Sequence, residues 1–117
     1  MKFGDVKFGS IEIDGRAYSS DVVIDSGNIK LRNSRPSKEA SGGTGHTPLS
    51  IKERIPWNCK KLFIGTGMYG SLPVLDEVKE EAKRRSVDIF CEPTPDMVKR
   101  LKTEFDKDSN AILHLTC

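Results

Sequence analysis

A glycine-rich loop at residues 65–70, here called the glycine loop, has the residue types and spacing best suited to hold a ligand. A short apolar run leads into three glycines that meet the spacing of the dinucleotide fingerprint. If a helix follows directly, the loop presents backbone N–H groups and the positive end of a helix dipole, which bind phosphates and carboxylates. The predicted ligand-binding residues here are Gly65, Thr66, Gly67, Gly70 and Ser71. The alternative is that the glycines only form a tight turn between the strand and the helix.

A dinucleotide is a poor match for the same loop. Glu92 follows Gly70 by 22 residues, where an acidic residue that binds the ribose is expected. The chain predicts only one strand–helix–strand–helix–strand half, however, and dinucleotides span two such halves. We therefore expect no nicotinamide or other cofactor. No CxxC and no Cys/His cluster predicts a metal site.

A basic stretch and a loop histidine could complete the site. Residues 28–61 hold eight basic and two acidic side chains, among them Lys30 and Arg32, and this charge could attract an anion or an acidic partner. His46 lies in a second glycine-rich stretch, where it could contact the ligand or perform acid–base chemistry, or could simply bond the backbone. We expect Lys30, Arg32 and His46 to meet the glycine loop at the carboxyl ends of parallel strands.

Two other side chains have competing interpretations. Trp57, among basic residues, could stack on a base or sugar, or could cover the edge of a sheet. Because no nucleic-acid-binding motif accompanies it, we do not expect nucleic acid as a partner. His114 lies within an apolar run and is interpreted as a hydrogen-bonded core histidine.

The elements that position these residues predict an α/β domain. Residues 1–33 form a β-rich part, in which Asp14-Gly15 is a hairpin turn followed by a return strand over residues 16–24. Residues 34–48 form a long loop. In residues 62–117, strands at 62–64, 87–91 and 111–115 alternate with helices at 72–85 and 94–105, which predicts a βαβαβ unit with parallel strands. We expect both parts to share one mixed sheet.

Length and composition predict one domain over residues 1–117. Charged residues make up 31%, and no apolar run approaches the ~20 residues of a membrane span, so we expect no membrane association. The first residues lack an apolar leader, which favours a cytoplasmic location. Three widely spaced cysteines are an odd number and are interpreted as reduced thiols.

Several segments carry a family resemblance over nearly the whole chain. They are Gly-Thr-Gly-His-Thr-Pro at residues 43–48, Leu-Phe-Ile-Gly-Thr-Gly at 62–67, Thr94, and Leu-His-Leu-Thr-Cys at 113–117. The chain resembles the small uncharacterised domain family that includes the mammalian adipogenesis-associated protein and the mitochondrial complex I assembly factor. The resemblance implies three layers: a central mixed sheet of about five strands, helices on both faces and an N-terminal β-hairpin region.

This resemblance implies no activity, because its members share no agreed catalytic chemistry. The assembly-factor branch tends to carry Tyr-Asn in the second helix, where this chain has Arg100-Leu101. A role in complex I assembly is therefore not carried over. The sequence predicts a binding or assembly module with a protein partner and no assured catalysis, and it leaves self-association open. The alternative is a small-ligand enzyme or sensor that binds a phosphate- or carboxylate-bearing molecule at the glycine loop.

Overall fold

The structure, a computed structural model, describes residues 1–41 and 47–117, so His46 lies outside the described residues. In chain order the elements are β1 Phe3–Lys7, β2 Ser10–Ile13, β3 Arg16–Tyr18, β4 Val22–Asp25, β5 Asn28–Leu31, a 3-10 helix at Arg35–Ser41, β6 Lys61–Thr66, α1 Asp76–Arg84, β7 Asp88–Glu92, α2 Thr94–Glu104 and β8 Ser109–His114.

The strands form two sheets. The small sheet has the antiparallel order β1-β2-β3, and the large sheet has the order β5-β4-β8-β6-β7. Strand β4 is antiparallel to both of its neighbours, whereas β6 is parallel to β7 and β8. The predicted α/β fold, with a mixed sheet of five strands and an N-terminal hairpin region, is confirmed.

The two helices lie on opposite faces of the large sheet. Val78 and Ala82 of α1 join one buried cluster, and Met97 and Leu101 of α2 join the other, together with apolar residues of the small sheet. Because β7 and β8 flank β6 on opposite sides, the second crossover runs back over β6. Two crossovers of the same right hand but opposite direction must place their helices on opposite faces.

Central strands are buried on both faces, and their side chains alternate between the two clusters. Phe63 and Ala111 point towards α2 and the small sheet, while Ile64 and Ile112 belong to the cluster of α1. This explains why the predicted parallel strands read as continuous apolar runs rather than as an alternating pattern.

The predicted return strand over residues 16–24 is wrong, because the chain divides it into β3 and β4 in different sheets. Asp21 lies just before β4, where its carboxylate accepts the Leu115 N–H at 2.8 Å and its carbonyl accepts the Arg32 N–H at 2.8 Å. These bonds attach the start of β4 to the large sheet. The two halves therefore share that sheet only through β4 and β5. The Asp14-Gly15 turn is as predicted, with φ values of 51° and 79°.

The predicted first helix begins late. Residues 72–75 are extended, with a parallel bridge between Val74 and Leu49, and α1 begins only at Asp76. The Leu49 N–H donates to the Pro73 carbonyl at 2.8 Å, and the Leu75 N–H donates to the Leu49 carbonyl at 3.1 Å. Pairing with residue 49 thus replaces the first helical turn.

The 34–48 segment also differs from the predicted loop, since a 3-10 helix occupies Arg35–Ser41. No helix within residues 1–41 and 47–117 is long and apolar enough to cross a membrane.

Candidate functional site

The backbone N–H groups of the glycine loop point towards the last residues of the chain. The Met68 N–H donates to the Thr116 carbonyl at 2.6 Å, and the Tyr69 and Ser71 N–H groups both donate to the Cys117 carbonyl at 3.0 Å. These are the groups that the sequence analysis assigned to an anionic ligand. An anion could reach them only by displacing residues 116 and 117.

Gly67 and Gly65 lie where other parts of the chain leave no room for a side chain. Gly67 has φ +104°, and a Cβ there would lie 2.3 Å from the Cys117 carbonyl carbon and 2.9 Å from His114 Cδ2. A Cβ at Gly65 would lie 2.8 Å from Thr94 Oγ1. That hydroxyl accepts the Gly67 N–H at 2.9 Å and donates to the His114 carbonyl at 2.6 Å. The loop is therefore fitted to the chain's own backbone.

The remaining loop residues complete a closed turn. Gly70 has φ +69°, and its N–H donates to the Gly67 carbonyl at 3.1 Å. Thr66 is buried, and its carbonyl accepts the Leu72 N–H at 2.9 Å. Each amide from Gly67 to Leu72 thus has a partner within the chain. Ligand binding at this loop stays a prediction, and the geometry does not favour it.

A helix dipole does not support the loop either. Helix α1 begins six residues after Gly70, and its first turn carries Asp76 and Glu77, which repel an anion. Glu92 ends β7, where the sequence analysis expected a ribose partner, but its carboxylate pairs with Arg100 at 3.4 Å.

A hydrogen-bonded chain of three side chains lies at the same edge of the sheet. His114 Nδ1 is 2.6 Å from Asp21 Oδ2, and His114 Nε2 is 3.2 Å from Thr116 Oγ1. Because an ionised carboxylate only accepts, Nδ1 carries the proton, and in the neutral tautomer Nε2 can accept the Thr116 hydroxyl. Asp21 and His114 are 19% and 17% exposed, so the pair is shielded but reachable.

Asp21 is ionised in spite of its surroundings. Burial alone would raise its pKa, but hydrogen bonds from His114, the Leu115 N–H and Arg32 outweigh burial and hold the pKa below its ordinary value. The carboxylate is thus a fixed anchor for the imidazole ring.

Arg32, predicted to contact a ligand, instead forms buried ion pairs. Its Nε and Nη2 bond Glu53 at 2.8 and 2.9 Å, and its Nη1 bonds Asp21 at 3.1 Å. The Arg32 and Glu53 side chains are each only 4% exposed. The guanidinium orients Asp21 and is not available as the main contact of an anion.

Lys30 does not reach the glycine loop. It lies on β5, which β4 and β8 separate from β6, about 14 Å away at ordinary strand spacing. Its side chain is 63% exposed and pairs with Asp25 at 3.5 Å. The structure therefore separates the predicted site residues into two places.

Lys30 borders a cleft of about 510 Å³ on the α1 side of the large sheet, here called the basic cleft. Val23 and Ile112 form its apolar floor, Trp57 belongs to its wall, and Arg54 lies at its rim. Four basic and two acidic side chains line it. Trp57 packs against the apolar cluster on the α1 side and also faces this cleft.

A smaller cleft of about 300 Å³, here called the edge cleft, opens beside His114. Its lining includes Asp21, Ser34, Thr47, Leu72, Thr116 and Cys117. This is the carboxyl edge of the parallel strands, where the sequence analysis expected the functional surface.

No sequence pattern singled out Asp21 or Thr116, and the apolar run around His114 predicted a core residue. His114 is hydrogen-bonded as expected, but it ends β8 and lines a cleft rather than lying in the core. Its position at the end of a predicted parallel strand was the available signal.

None of the three cysteines forms a disulfide in the structure. Burial raises the pKa of the Cys59 thiol, which makes it less reactive. Within residues 1–41 and 47–117, no group of three His, Cys, Asp or Glu side chains is arranged to hold a metal ion.

The fold and the two clefts define a small α/β protein with a closed glycine loop. Solved structures share its fold. The chain is 30% identical to a conserved hypothetical protein from Pyrococcus horikoshii OT3 over 100% of both chains, with a TM-score of 0.82. The chain belongs to the family of that protein. It is also 26% identical to a protein named MT938, over 98% of this chain and 97% of that one, with a TM-score of 0.78.

A Bartonella henselae protein described as an outer membrane protein is 13% identical over 98% of this chain and 94% of its own, with a TM-score of 0.70, and shares the fold alone. No protein-family model and no curated protein matches the chain. Membership of the family of the adipogenesis-associated protein stays a prediction.

Replacing Gly67 tests the contact between the glycine loop and Cys117. Gly67→Ala introduces backbone strain and also a clash with the Cys117 carbonyl group. Gly27→Ala is the matched control, because Gly27 also has a positive φ, +82°, but a Cβ there meets nothing within 4 Å. In urea unfolding, we expect Gly27→Ala to lower the free energy of unfolding by about 1–2 kcal/mol. Gly67→Ala should lower it by at least about 1 kcal/mol more. Equal losses would contradict the docking of residue 117 on this loop.

Acid should weaken the anchoring of Asp21. A carboxylate whose pKa is lowered by folding stabilises the fold above its unfolded pKa of about 3.9, and this contribution is lost as the pH falls through the folded pKa. We expect Asp21→Asn to cost about 1–3 kcal/mol at pH 7, because Arg32 and His114 lose a charged partner. The difference from wild type should narrow between about pH 5 and pH 2. The measurement is the free energy of unfolding in urea at several pH values, with Asp5→Asn, at an exposed position, as the control. A difference between wild type and Asp21→Asn that stays constant over this pH range would contradict a lowered pKa of Asp21 in the folded protein.

Proposed function

We propose that the protein is a binding module for a small molecule that carries a carboxylate or phosphate group on an apolar body, and that this molecule occupies the basic cleft. The observation that carries the proposal is the combination of an apolar floor and a rim of net positive charge in one concave site. Its volume of about 510 Å³ is typical of small-molecule pockets.

The charge of the cleft favours an anion. Lys30 and Arg54 border it on exposed positions, and Asp25 contacts Lys30 only at a long 3.5 Å. Glu53 also lines the cleft, but Arg32 neutralises it through two short hydrogen bonds. An anionic group at the rim therefore meets cations whose hydrogen bonds are charge-assisted and directional.

The floor of the cleft favours an apolar body behind that group. Val23 and Ile112 come from adjacent paired strands, β4 and β8, so the floor is a rigid part of the sheet. Trp57 adds a large side wall, and its ring is held on another side by Arg85 at 5.4 Å. An alkyl or aryl group here would bury apolar area on both surfaces at about 25 cal/mol per Å².

The same ligand class was predicted for the glycine loop, and the basic cleft is the better place for it. The loop amides are bonded to residues 116 and 117, whereas the cleft requires no displacement of the chain. Binding of this kind suits a sensor. A cytoplasmic location remains part of the proposal and is supported by the three unpaired thiols.

Trp57 is the sole tryptophan, so its fluorescence reports on this cleft. We expect octanoate to change the emission with a Kd in the range of about 0.1–1 mM, roughly 4–5.5 kcal/mol. Octanol, which has the same chain without the charge, should bind at least about tenfold more weakly, a difference of about 1.4 kcal/mol. Octyl phosphate should behave like octanoate, because both carry an anionic group on the same apolar body.

Two matched double variants test whether octanoate binds at the basic cleft. Lys30→Gln combined with Arg54→Gln should weaken octanoate binding about tenfold or more. Lys99→Gln combined with Lys102→Gln removes the same charge from exposed positions of α2 on the opposite face and should leave binding unchanged. Equal affinities for octanoate and octanol, or equal losses in both double variants, would refute the proposal.

A second candidate, an assembly role, is favoured by an exposed aromatic pair. Phe8 and Tyr69 are 54% and 75% exposed, and their ring centroids are 6.0 Å apart. Phe8 belongs to the β1–β2 turn, which is held to the same segment as the glycine loop by a 2.7 Å bond from the Gly9 N–H to the Leu115 carbonyl. Exposed aromatic side chains are enriched at protein interfaces.

Site-specific photo-crosslinking checks this candidate. A benzophenone side chain at position 69 should give a discrete crosslink to one partner protein or to a second copy of the chain. The same group at position 51, where Ile51 is 47% exposed, serves as the control. A crosslink pattern that is identical from both positions would contradict an interface at Tyr69.

A further inference from the structure

We propose that Asp21, His114 and Thr116 form a hydroxyl-activating triad, and that Thr116 Oγ1 is a nucleophile towards small activated esters that enter the edge cleft. This inference is independent of the basic cleft. It rests on the order of the three side chains, the orientation of the imidazole ring and the access to the hydroxyl group.

The order of groups is that of a nucleophile, a base and an orienting carboxylate. Thr116 Oγ1 lies 3.2 Å from His114 Nε2, and His114 Nδ1 lies 2.6 Å from Asp21 Oδ2. Both distances are within the reach expected of a base and the groups on either side of it. The proton on Nδ1 leaves Nε2 with a lone pair directed at the hydroxyl group.

Rigid elements hold the base and its anchor. His114 ends β8 and Asp21 immediately precedes β4, and these strands are paired at Val22 and Leu113. Asp21 Oδ1 accepts the Leu115 N–H at 2.8 Å, while Oδ2 also accepts Arg32 Nη1 at 3.1 Å. The carboxylate therefore cannot rotate away from the ring without losing two other bonds.

The glycine loop holds the nucleophile. The Thr116 carbonyl accepts the Met68 N–H at 2.6 Å, and the next carbonyl, that of Cys117, accepts the N–H groups of Tyr69 and Ser71. These bonds fix the backbone after the Thr116 side chain, and the bond from the Gly9 N–H to the Leu115 carbonyl at 2.7 Å fixes the backbone before it. The glycine pattern then has a role in chemistry, but through positioning of residue 116 rather than through contact with a ligand.

Access limits the substrate to small molecules. Thr116 is exposed, and its side chain borders the edge cleft of about 300 Å³, which is at the lower end of the volume of ligand pockets. Leu72 supplies an apolar side to this cleft, and Ser34 and Thr47 supply hydroxyl groups. A short acyl chain fits this space.

The proposed reaction is ester hydrolysis in two steps. Thr116 Oγ1 attacks the acyl carbon while His114 Nε2 takes the hydroxyl proton, the bond from the acyl carbon to the leaving oxygen breaks, and the imidazolium returns the proton to that oxygen. A solvent water then attacks the acyl-threonine, with His114 as base. The products are the carboxylic acid and the alcohol, and Thr116 regains its proton. No oxidant or reductant is needed.

Cys117 is the competing nucleophile, so the test uses Cys117→Ser as its background. The close contact of Gly67 is with the backbone carbonyl of Cys117, which serine retains. Incubation with p-nitrophenyl acetate should release a burst of nitrophenol and place an acetyl group on Thr116, located by mass spectrometry of the digested protein. Thr116→Ser should keep the burst.

Loss of the triad members should lower the rate in distinct ways. Thr116→Ala should abolish the burst, and His114→Gln should lower the acylation rate about 100-fold, the lower end of what a general base contributes. Asp21 acts as a positioning residue, so Asp21→Asn should lower the acylation rate constant and leave the ester concentration at half-saturation unchanged. Thr103→Ala on the exposed side of α2 should have no effect.

Two results would overturn the proposal. One is acetylation of lysine or of another residue at the same rate in the Thr116→Ala variant, with the fold verified by circular dichroism. The other is activity that survives in His114→Gln but is lost in His46→Ala, which would assign the base to His46. Because the Thr116 side chain is exposed, the comparison of Thr116→Ala with Thr116→Ser decides the matter even if Asp21→Asn fails to fold.

Discussion

The hydrogen bonds between the glycine loop and residues 116 and 117 are the constraint on which the carboxyl edge of the parallel strands depends. Backbone carbonyl groups beside a sheet need hydrogen-bond donors, and here the loop amides supply them. The Cys117 carbonyl group lies too close to Gly67 for a side chain to fit there, and the Thr94 hydroxyl group excludes a side chain at Gly65. The β1–β2 turn bonds the Leu115 carbonyl through the Gly9 N–H and so attaches the small sheet to the same edge. Residues 115–117 are thus bonded both to the small sheet and to the glycine loop.

Local signals predicted most of the fold, and tertiary contacts decided the rest. The Asp14-Gly15 turn requires two positive φ values in sequence, which few residues other than Asp, Asn and Gly adopt readily, so the hairpin could be recognised. Tyr18, Val22 and Ile24 keep a period of two, which one continuous strand would also satisfy. Only the bonds of Asp21 to Leu115 and Arg32 reveal the break. Pairing with Leu49, far away in sequence, likewise delays the start of α1.

The candidate site was harder to predict, because glycine spacing reports a close approach without naming what approaches. A phosphate and the chain's own carbonyl groups select the same residue at a position such as Gly67. His114 stands in an apolar run, and its polar partner Asp21 lies 93 residues earlier, across an antiparallel strand pair. The rule that crevices open at the carboxyl ends of parallel strands predicted a functional surface at this edge, where the edge cleft opens, and the function of that surface stays a prediction. The residues that meet there depend on β4, whose register no local pattern specifies.

Charge counted along the sequence overstates the positive field that a ligand would meet, and Arg32 shows why. Its guanidinium lies between Glu53, in the wall of the basic cleft, and Asp21, behind His114 in the edge cleft. Removing either acid would leave this buried cation without one of its charged partners, so the two ion pairs fix the position of Arg32. The cation therefore joins the ends of β4 and β5 to the segment around residue 53. The positive charge of the surface is left to exposed groups such as Lys30 and Arg54, and these face only one of the two clefts.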